Sequence, residues 1–219
     1  GEAIEVRERL LTTLEKARRS IRQVRDGRKH ISEAQTKASL INPVLQALGW
    51  DMSDLDEVAL EYRHKPQDNP VDYALLSQHA PRLFVEAKAL GTNLDDHKWV
   101  SQVVNYANAA GVAWCVLTDG DQYCIYNTHA PVALEEKLFR AVAVSELSAE
   151  DFALDTLELL SKEHVAANAI EGLWKPHFVD RSVEKVLSSL FGGVDESLVR
   201  LVGRRAGQLT AAEIRDSLR

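Results

Sequence analysis

Two stretches, Val71-Asp-Tyr-Ala-Leu-Leu76 and Leu83-Phe-Val-Glu-Ala-Lys-Ala-Leu90, place charge inside runs that otherwise look like buried strands. Strand side chains alternate between faces, so Glu86 and Lys88 point one way while Val85 and Ala87 point the other. Asp72 belongs to the preceding strand. An antiparallel pairing of the two strands brings Asp72 and Glu86 together at neighbouring strand ends. Two carboxylates so placed repel unless a cation lies between them, and Mg²⁺ suits a small set of carboxylate oxygens completed by water. A lysine beside them can hold or activate water and balance charge as a phosphate arrives. The bland alternative is an exposed Glu-Lys pair, with Asp72 as a turn residue after Pro70. The apolar run around Glu86 fits exposure poorly, because an acid and a base embedded there need a compensating partner.

Working outward, Asp56–Arg63 reads as a strand with Val58, Leu60 and Tyr62 on one face. Residues 94–110 have helical period, with Trp99, Val103, Tyr106, Ala107 and Ala110 recurring. Gln102 and Tyr106, four residues apart, share one face of that helix. Val112–Thr118 and Gln122–Asn127 flank Asp119-Gly120, a two-residue hairpin signal, which sets Cys115 opposite Cys124 as small core residues. Leu138–Val144 supplies an edge strand. The predicted order is α-β-β-β-α-β-β, a mixed α/β sheet flanked by helices.

Two helices precede the sheet. Over residues 3–25 the residues Leu10, Leu14, Ala17, Ile21 and Val24 form a 4-3-4-3 apolar stripe that packs on the body. Arg18, Arg19, Arg22 and Arg25 read as a solvated face, with a phosphate-binding strip as the alternative. The second helix starts near Ser32, where Ser32 and Gln35 fit a capping box. Glu33, Lys37 and Leu40 share the face turned toward the sheet. Pro43 predicts a kink and Gly49 the end. Beyond residue 146 the pattern is helical, with capping-box pairs at Ser148/Asp151 and Thr210/Glu213 and glycine punctuation at 192, 193 and 203. The predicted units are 1–29, an amphipathic helix; 30–145, the α/β core; and 146–219, a helical extension.

The 219 residues carry a formal charge of −7, unevenly spread: nine Lys/Arg against five Asp/Glu in residues 1–32, but eight against fifteen in residues 33–145. An acidic whole argues against nonspecific coating of nucleic acid, yet it permits a metal-filled acidic site beside a short basic arm. With 45% hydrophobic residues, no long apolar run and no signal-peptide pattern, a soluble cytoplasmic protein is expected. Two cysteines make neither a disulfide framework nor a zinc site. Phosphate-loop, G-x-S-x-G and G-x-G-x-x-G motifs are absent, and the seven histidines are scattered.

A resemblance rests on seven motifs in order: Glu33-Ala-Gln-Thr-Lys37, Leu48-Gly-Trp-Asp51, Glu61-Tyr62, Val71-Asp-Tyr73, Phe84-Val-Glu-Ala-Lys88, Gln102-Val-Val-Asn-Tyr106 and Leu117-Thr-Asp-Gly120. Together they resemble the N-terminal nuclease domain of type I restriction enzyme R subunits, of the PD-(D/E)XK superfamily and its Q-x-x-x-Y branch. The superfamily's Pro-Asp is Val71-Asp72 here, with Pro70 one place early. The resemblance implies a restriction-endonuclease-like core and a Mg²⁺-dependent DNA endonuclease, with Mn²⁺ as a substitute ion, acting in restriction or DNA defence. Asp72, Glu86 and the carbonyl of Ala87 would hold the metal, Lys88 would position the attacking water, and Glu33 would complete the acidic cluster. Gln102, Tyr106 and Lys37 would contact DNA. No helicase motor is present in these residues, so the resemblance implies a fragment, a stand-alone relative or a partner of a separate motor, with a specificity subunit or a second copy of itself as a further candidate partner. A catalytically silent DNA-binding or assembly module on the same fold is the alternative.

Overall fold

The computed structural model describes residues 2–27, 30–192 and 194–218. Six strands form one sheet in the order β1-β2-β3-β4-β5-β6. They are β1 (Val58–Tyr62), β2 (Val71–Ser77), β3 (Ala80–Ala87), β4 (Trp114–Thr118), β5 (Gln122–Asn127) and β6 (Leu138–Ala143). Only β3 and β4 run parallel; the other neighbours are antiparallel. The parallel step needs a crossover, and α4 (His97–Ala109) supplies it. Val100, Val103, Val104 and Ala107 of α4 pack with Phe84, Cys115, Leu117, Cys124 and Tyr126 of the sheet as one core. The mixed α/β expectation holds in its element order.

The long N-terminal helix α1 (Glu2–Arg25) buries the expected stripe of Leu10, Leu14, Ala17 and Ile21. Its arginines are not all solvated. Arg18 is buried, donating from Nε to the Val144 carbonyl at 2.6 Å and pairing with Glu150. Arg25 pairs with the buried carboxylate of Asp121. These side chains tie α1 to the end of β6 and to the β4–β5 turn, so charge partners rather than solvent explain two of the four.

Helix formation from residue 33 proceeds through α2 (Glu33–Thr36), a π-helical turn (Lys37–Ile41) and α3 (Asn42–Ala47). Ser32 accepts the Gln35 N–H as expected, at 3.1 Å, but Gln35 turns its amide to Ser39 instead of completing a capping box. Pro43 has no N–H to offer the preceding turn. The backbone meets this by widening: Asn42 N–H bonds back five residues to the Lys37 carbonyl, a π-bulge in place of a simple kink. Gly49, at φ +93°, follows the end of α3.

Three further expectations are corrected. Leu60 does not share a buried face with Val58. Glu61 takes a left-handed φ of +49°, which breaks the alternation, so that Ala59 and Tyr62 reach the core while Leu60 is exposed. The β4–β5 turn has three residues, Asp119-Gly120-Asp121, between Thr118 and Gln122. The register pairs Leu117 with Cys124 and Cys115 with Tyr126, so the cysteines are diagonal neighbours. Finally, Ser148 caps no helix; its hydroxyl bonds to Glu146, and α5 (Glu150–Glu158) begins without a side-chain cap.

The chain divides into compact units at 1–170 and 171–219. Residues 146–170, expected in a separate extension, therefore belong with the sheet. Trp50 Nε1 donates to the Leu160 carbonyl, Arg7 pairs with Asp155 and Glu158, and Lys162 of α6 (Lys162–Ala166) pairs with Glu57. The boundary expected at 29/30 and Gly193 fall at or beside residues outside the described ones. The second unit holds most of α7 (Ala169–Gly192), then α8 (Glu196–Arg205) and α9 (Ala211–Ser217). There, Val199 and Ile214 are buried, Arg215 forks onto Glu196, and Thr210 with Glu213 forms the expected capping box.

Gly120 joins the turn to the helical layer. It has φ +83°, and a Cβ there would stand 2.8 Å from Leu40 Cβ and 3.2 Å from Thr36 Cγ2. Gly120→Ala should therefore cost about 2–4 kcal/mol, from the left-handed backbone and the overpacking together. Urea unfolding of parent and variant checks this.

Candidate active site

The site forms where β2 and β3 end. Their last paired residues on this side are Tyr73 and Val85. One step further along, Asp72 stands opposite Glu86, as the antiparallel expectation required. The strands do not continue as a regular ladder there; Asp72 Oδ2 instead accepts the Ala87 N–H at 2.7 Å. Glu86 and Lys88 are both buried, and Lys88 Nζ donates to Glu86 Oε1 at 2.7 Å. The lysine also lies 4.4 Å above the Trp99 ring, a cation–π contact. Lys98 lies against the same ring at 3.8 Å.

Burial pushes the Glu86 carboxyl above its ordinary pKa, and the Asp72 charge pushes the same way; the hydrogen bond and charge of Lys88 oppose them only in part. Asp72 meets its own cation from the helical layer. Lys37, on the π turn, donates to Asp72 Oδ1 and lies 3.5 Å from Glu33 and 3.7 Å from Glu61. Burial alone would lower the Lys37 pKa, but the Asp72 hydrogen bond and the three carboxylate charges outweigh it and hold the ammonium above its usual value.

Glu33, Asp72, Glu86 and Lys88 are thus brought to one region, with Glu33 linked through Lys37. Glu61, which the motifs did not mark as a site residue, joins this region. The β1–β2 register places it across from Asp72, so Glu61, Asp72 and Glu86 stand in a row over three strands. The signal available in the sequence was its place in the Glu61-Tyr62 motif; the left-handed turn that directs it was not legible. Among the described residues, no three acidic, histidine or cysteine side chains gather closely enough to form a ready metal-binding cluster. The donor set is nevertheless one a hard cation accepts, namely the Asp72 and Glu86 carboxylates beside the backbone of Ala87.

A cavity of about 230 Å³ opens beside Glu86, bounded by Asp68, Pro70, Val71, Gln102 and Tyr106 among others. Gln102 and Tyr106 therefore do share a face, and it looks onto the site. Gln102 is exposed there. Tyr106 is engaged internally: its hydroxyl donates to the Tyr62 carbonyl at 3.1 Å and accepts the His64 N–H at 2.8 Å. Its ring packs 5.6 Å from that of Phe84. Of the residues expected at DNA, Tyr106 is thus a backbone pin and Lys37 a carboxylate partner, while Gln102 is left exposed at the cavity.

The loop after Lys88 is held from behind. Lys88 N–H bonds to the Thr118 carbonyl, Leu90 N–H to Thr36 Oγ1 and Gly91 N–H to Asp119 Oδ2. Asp119 Oδ1 also accepts two N–H groups of its own turn. The Leu117-Thr-Asp-Gly120 motif is therefore a buttress for the strand that carries Glu86 and Lys88.

Residues 33–137 match the family model described as the type I restriction enzyme R protein N terminus (HSDR_N). That stretch, a little under half of the chain, is similar to this R-protein family. It starts at Glu33 and covers β1 to β5 with the whole candidate site, so the similarity of these residues to the N terminus of type I restriction enzyme R proteins is borne out. No curated protein and no solved structure matches the chain. No helix among the described residues is long and apolar enough to cross a membrane.

Tyr106→Phe should cost about 1–3 kcal/mol, since it strips a donor from the Tyr62 carbonyl and an acceptor from the His64 amide. Gln102→Ala, exposed and with few packing contacts, should stay within about 0.5 kcal/mol of the parent. Denaturant unfolding of the two variants side by side distinguishes the pin from the exposed amide.

Proposed function

We propose that this protein is a divalent-metal-dependent DNA endonuclease of the PD-(D/E)XK type, working in restriction or DNA defence. The observation that carries the reading is the apposition of Asp72 with Glu86 one step beyond the last β2–β3 pair, with Lys88 on the same strand face as Glu86. The similarity of residues 33–137 to the N terminus of type I restriction enzyme R proteins supports it. So does the charge balance: Glu33, Glu61, Asp72 and Glu86 against Lys37 and Lys88 leave two negative charges, which one divalent ion neutralises.

Asp72, Glu86 and the Ala87 carbonyl would hold Mg²⁺ or Mn²⁺. When bound, such an ion supplies Lewis acidity toward water and toward a phosphoryl oxygen. The protein's own residues do the positioning. Lys88, held between Glu86 and Trp99, donates to the oxygen of the attacking water or of the phosphate and offsets charge as it develops. Gln102, at the cavity mouth, can donate to a backbone phosphate, a contact that positions DNA without reading its sequence. Glu33 extends the acidic field on the far side of Lys37.

A catalytically silent DNA-binding or assembly module is the second reading. Its supporting observation is that Lys37 and Lys88 already neutralise Asp72 and Glu86 in part. Cleavage of supercoiled plasmid and linear DNA with Mg²⁺ or Mn²⁺ separates the two. The endonuclease reading expects cleavage by the parent and a loss of at least about a hundredfold in Asp72→Asn and Lys88→Gln. Parent and variants cutting equally, with contaminating nuclease excluded, or a parent that does not cut, would defeat it.

A pH dependence follows from Glu86. Metal must displace a proton that burial makes this carboxyl hold more tightly than an exposed glutamate does. Below the raised pKa Glu86 is protonated and metal binding weakens; above it the carboxylate is free and affinity levels off. Mn²⁺ titration calorimetry from pH 5 to 8 should show affinity rising with pH and then flattening, and Glu86→Gln should bind weakly throughout.

A further inference from the structure

Lys37 has a more specific place than a general DNA contact. Its ammonium is the meeting point of three carboxylates from three elements: Glu33 on α2, Glu61 on β1 and Asp72 on β2. The side chain is mostly covered, at 21% exposure. Glu61 reaches this point from a left-handed backbone that a non-glycine residue rarely adopts, and such conformations tend to persist where they position a working group. Lys88 differs, since among the described residues Glu86 is the one carboxylate it pairs with.

We propose that Lys37 is a resident counter-ion of the metal site. In the metal-free enzyme it holds Asp72; when a divalent ion takes Asp72, Lys37 gives up that carboxylate and stays on Glu33 and Glu61. The inference rests on the reading of Asp72 as a metal ligand. Two features make the exchange feasible. Glu33 and Glu61 already stand within 3.7 Å of the ammonium, so the displaced charge remains paired. The other Asp72 oxygen is fixed by the Ala87 N–H, so the carboxylate keeps its orientation when Lys37 leaves. Lys37 would then act as a positioning residue that makes the acidic row tolerable without metal and competes with the ion for Asp72.

The test uses the full chain and Mn²⁺ or Mg²⁺ alone, without DNA. Lys37→Met removes the charge and keeps the stem. It should bind Mn²⁺ about five- to fiftyfold more tightly than the parent, since a neighbouring positive charge is gone. It should also melt lower without metal and gain more on metal addition. Lys37→Gln, milder in its effect on folding, should tighten binding in the same direction. In the parent, the ¹³Cε resonance of Lys37, assigned by its disappearance in Lys37→Met, should move during Mg²⁺ titration. A parent that binds Mn²⁺ while both variants bind no more tightly, or a Lys37 resonance that stays fixed as Mg²⁺ binds, overturns the exchange alone. A parent that binds no metal overturns the exchange and the metal-site reading together.

Discussion

Two carboxylates, Asp72 and Glu86, face each other across strands whose ladder has just ended. Glu86 and its neighbours are largely shielded from water. In such surroundings like charges repel strongly, and burial already pushes the Glu86 pKa up, so a cation beside each carboxylate relieves the repulsion. The fold supplies a lysine to each from a different direction, Lys88 along the same strand and Lys37 from the helical layer. The surrounding elements read most simply as the means of holding these four groups in register.

That support comes from residues with little chemistry of their own. Thr36, Thr118 and Asp119 capture the backbone of Lys88, Leu90 and Gly91, and Gly120 lets the β4–β5 turn lie directly on Leu40. The π turn over Lys37–Ile41 absorbs the donor missing at Pro43 while keeping the helix continuous enough to carry both Glu33 and Lys37 to the strand ends. Tyr106 serves similarly on the other side of β2, tying the chain after β1 to α4. A site of this kind depends on backbone groups that are fully occupied, because any freedom in them would be passed on to the carboxylates.

The layer opposite α4 draws on parts of the chain far apart in sequence. The buried stripe of α1 covers that side, and Arg18 and Arg25 lock it to the end of β6 and to Asp121. Residues 146–170 return to the same body through Trp50, Glu57 and Arg7. Helical period alone marks the residues from 146 as an extension of the core. It carries no trace of the partners of 146–170, which lie some 100 to 150 residues upstream.

The sequence by itself determined the element order, the strand pairing of Asp72 with Glu86-Ala-Lys88, the core face of α4 and the similarity of residues 33–137 to the R-protein N terminus. These follow from periodicity and from motifs whose residues are close along the chain. The tertiary structure alone decided which charges meet. The resemblance implied a DNA contact for Lys37 and did not mark Glu61, because nothing in either neighbourhood says that a helix turn, an irregular β1 and the end of β2 converge. It likewise turned Tyr106 inward and Arg18 into the core, since hydrogen-bond partners more than 40 residues distant leave no trace in local spacing. Long-range electrostatics and the satisfaction of buried polar groups are properties of the packed whole, and the site draws its particular arrangement from them.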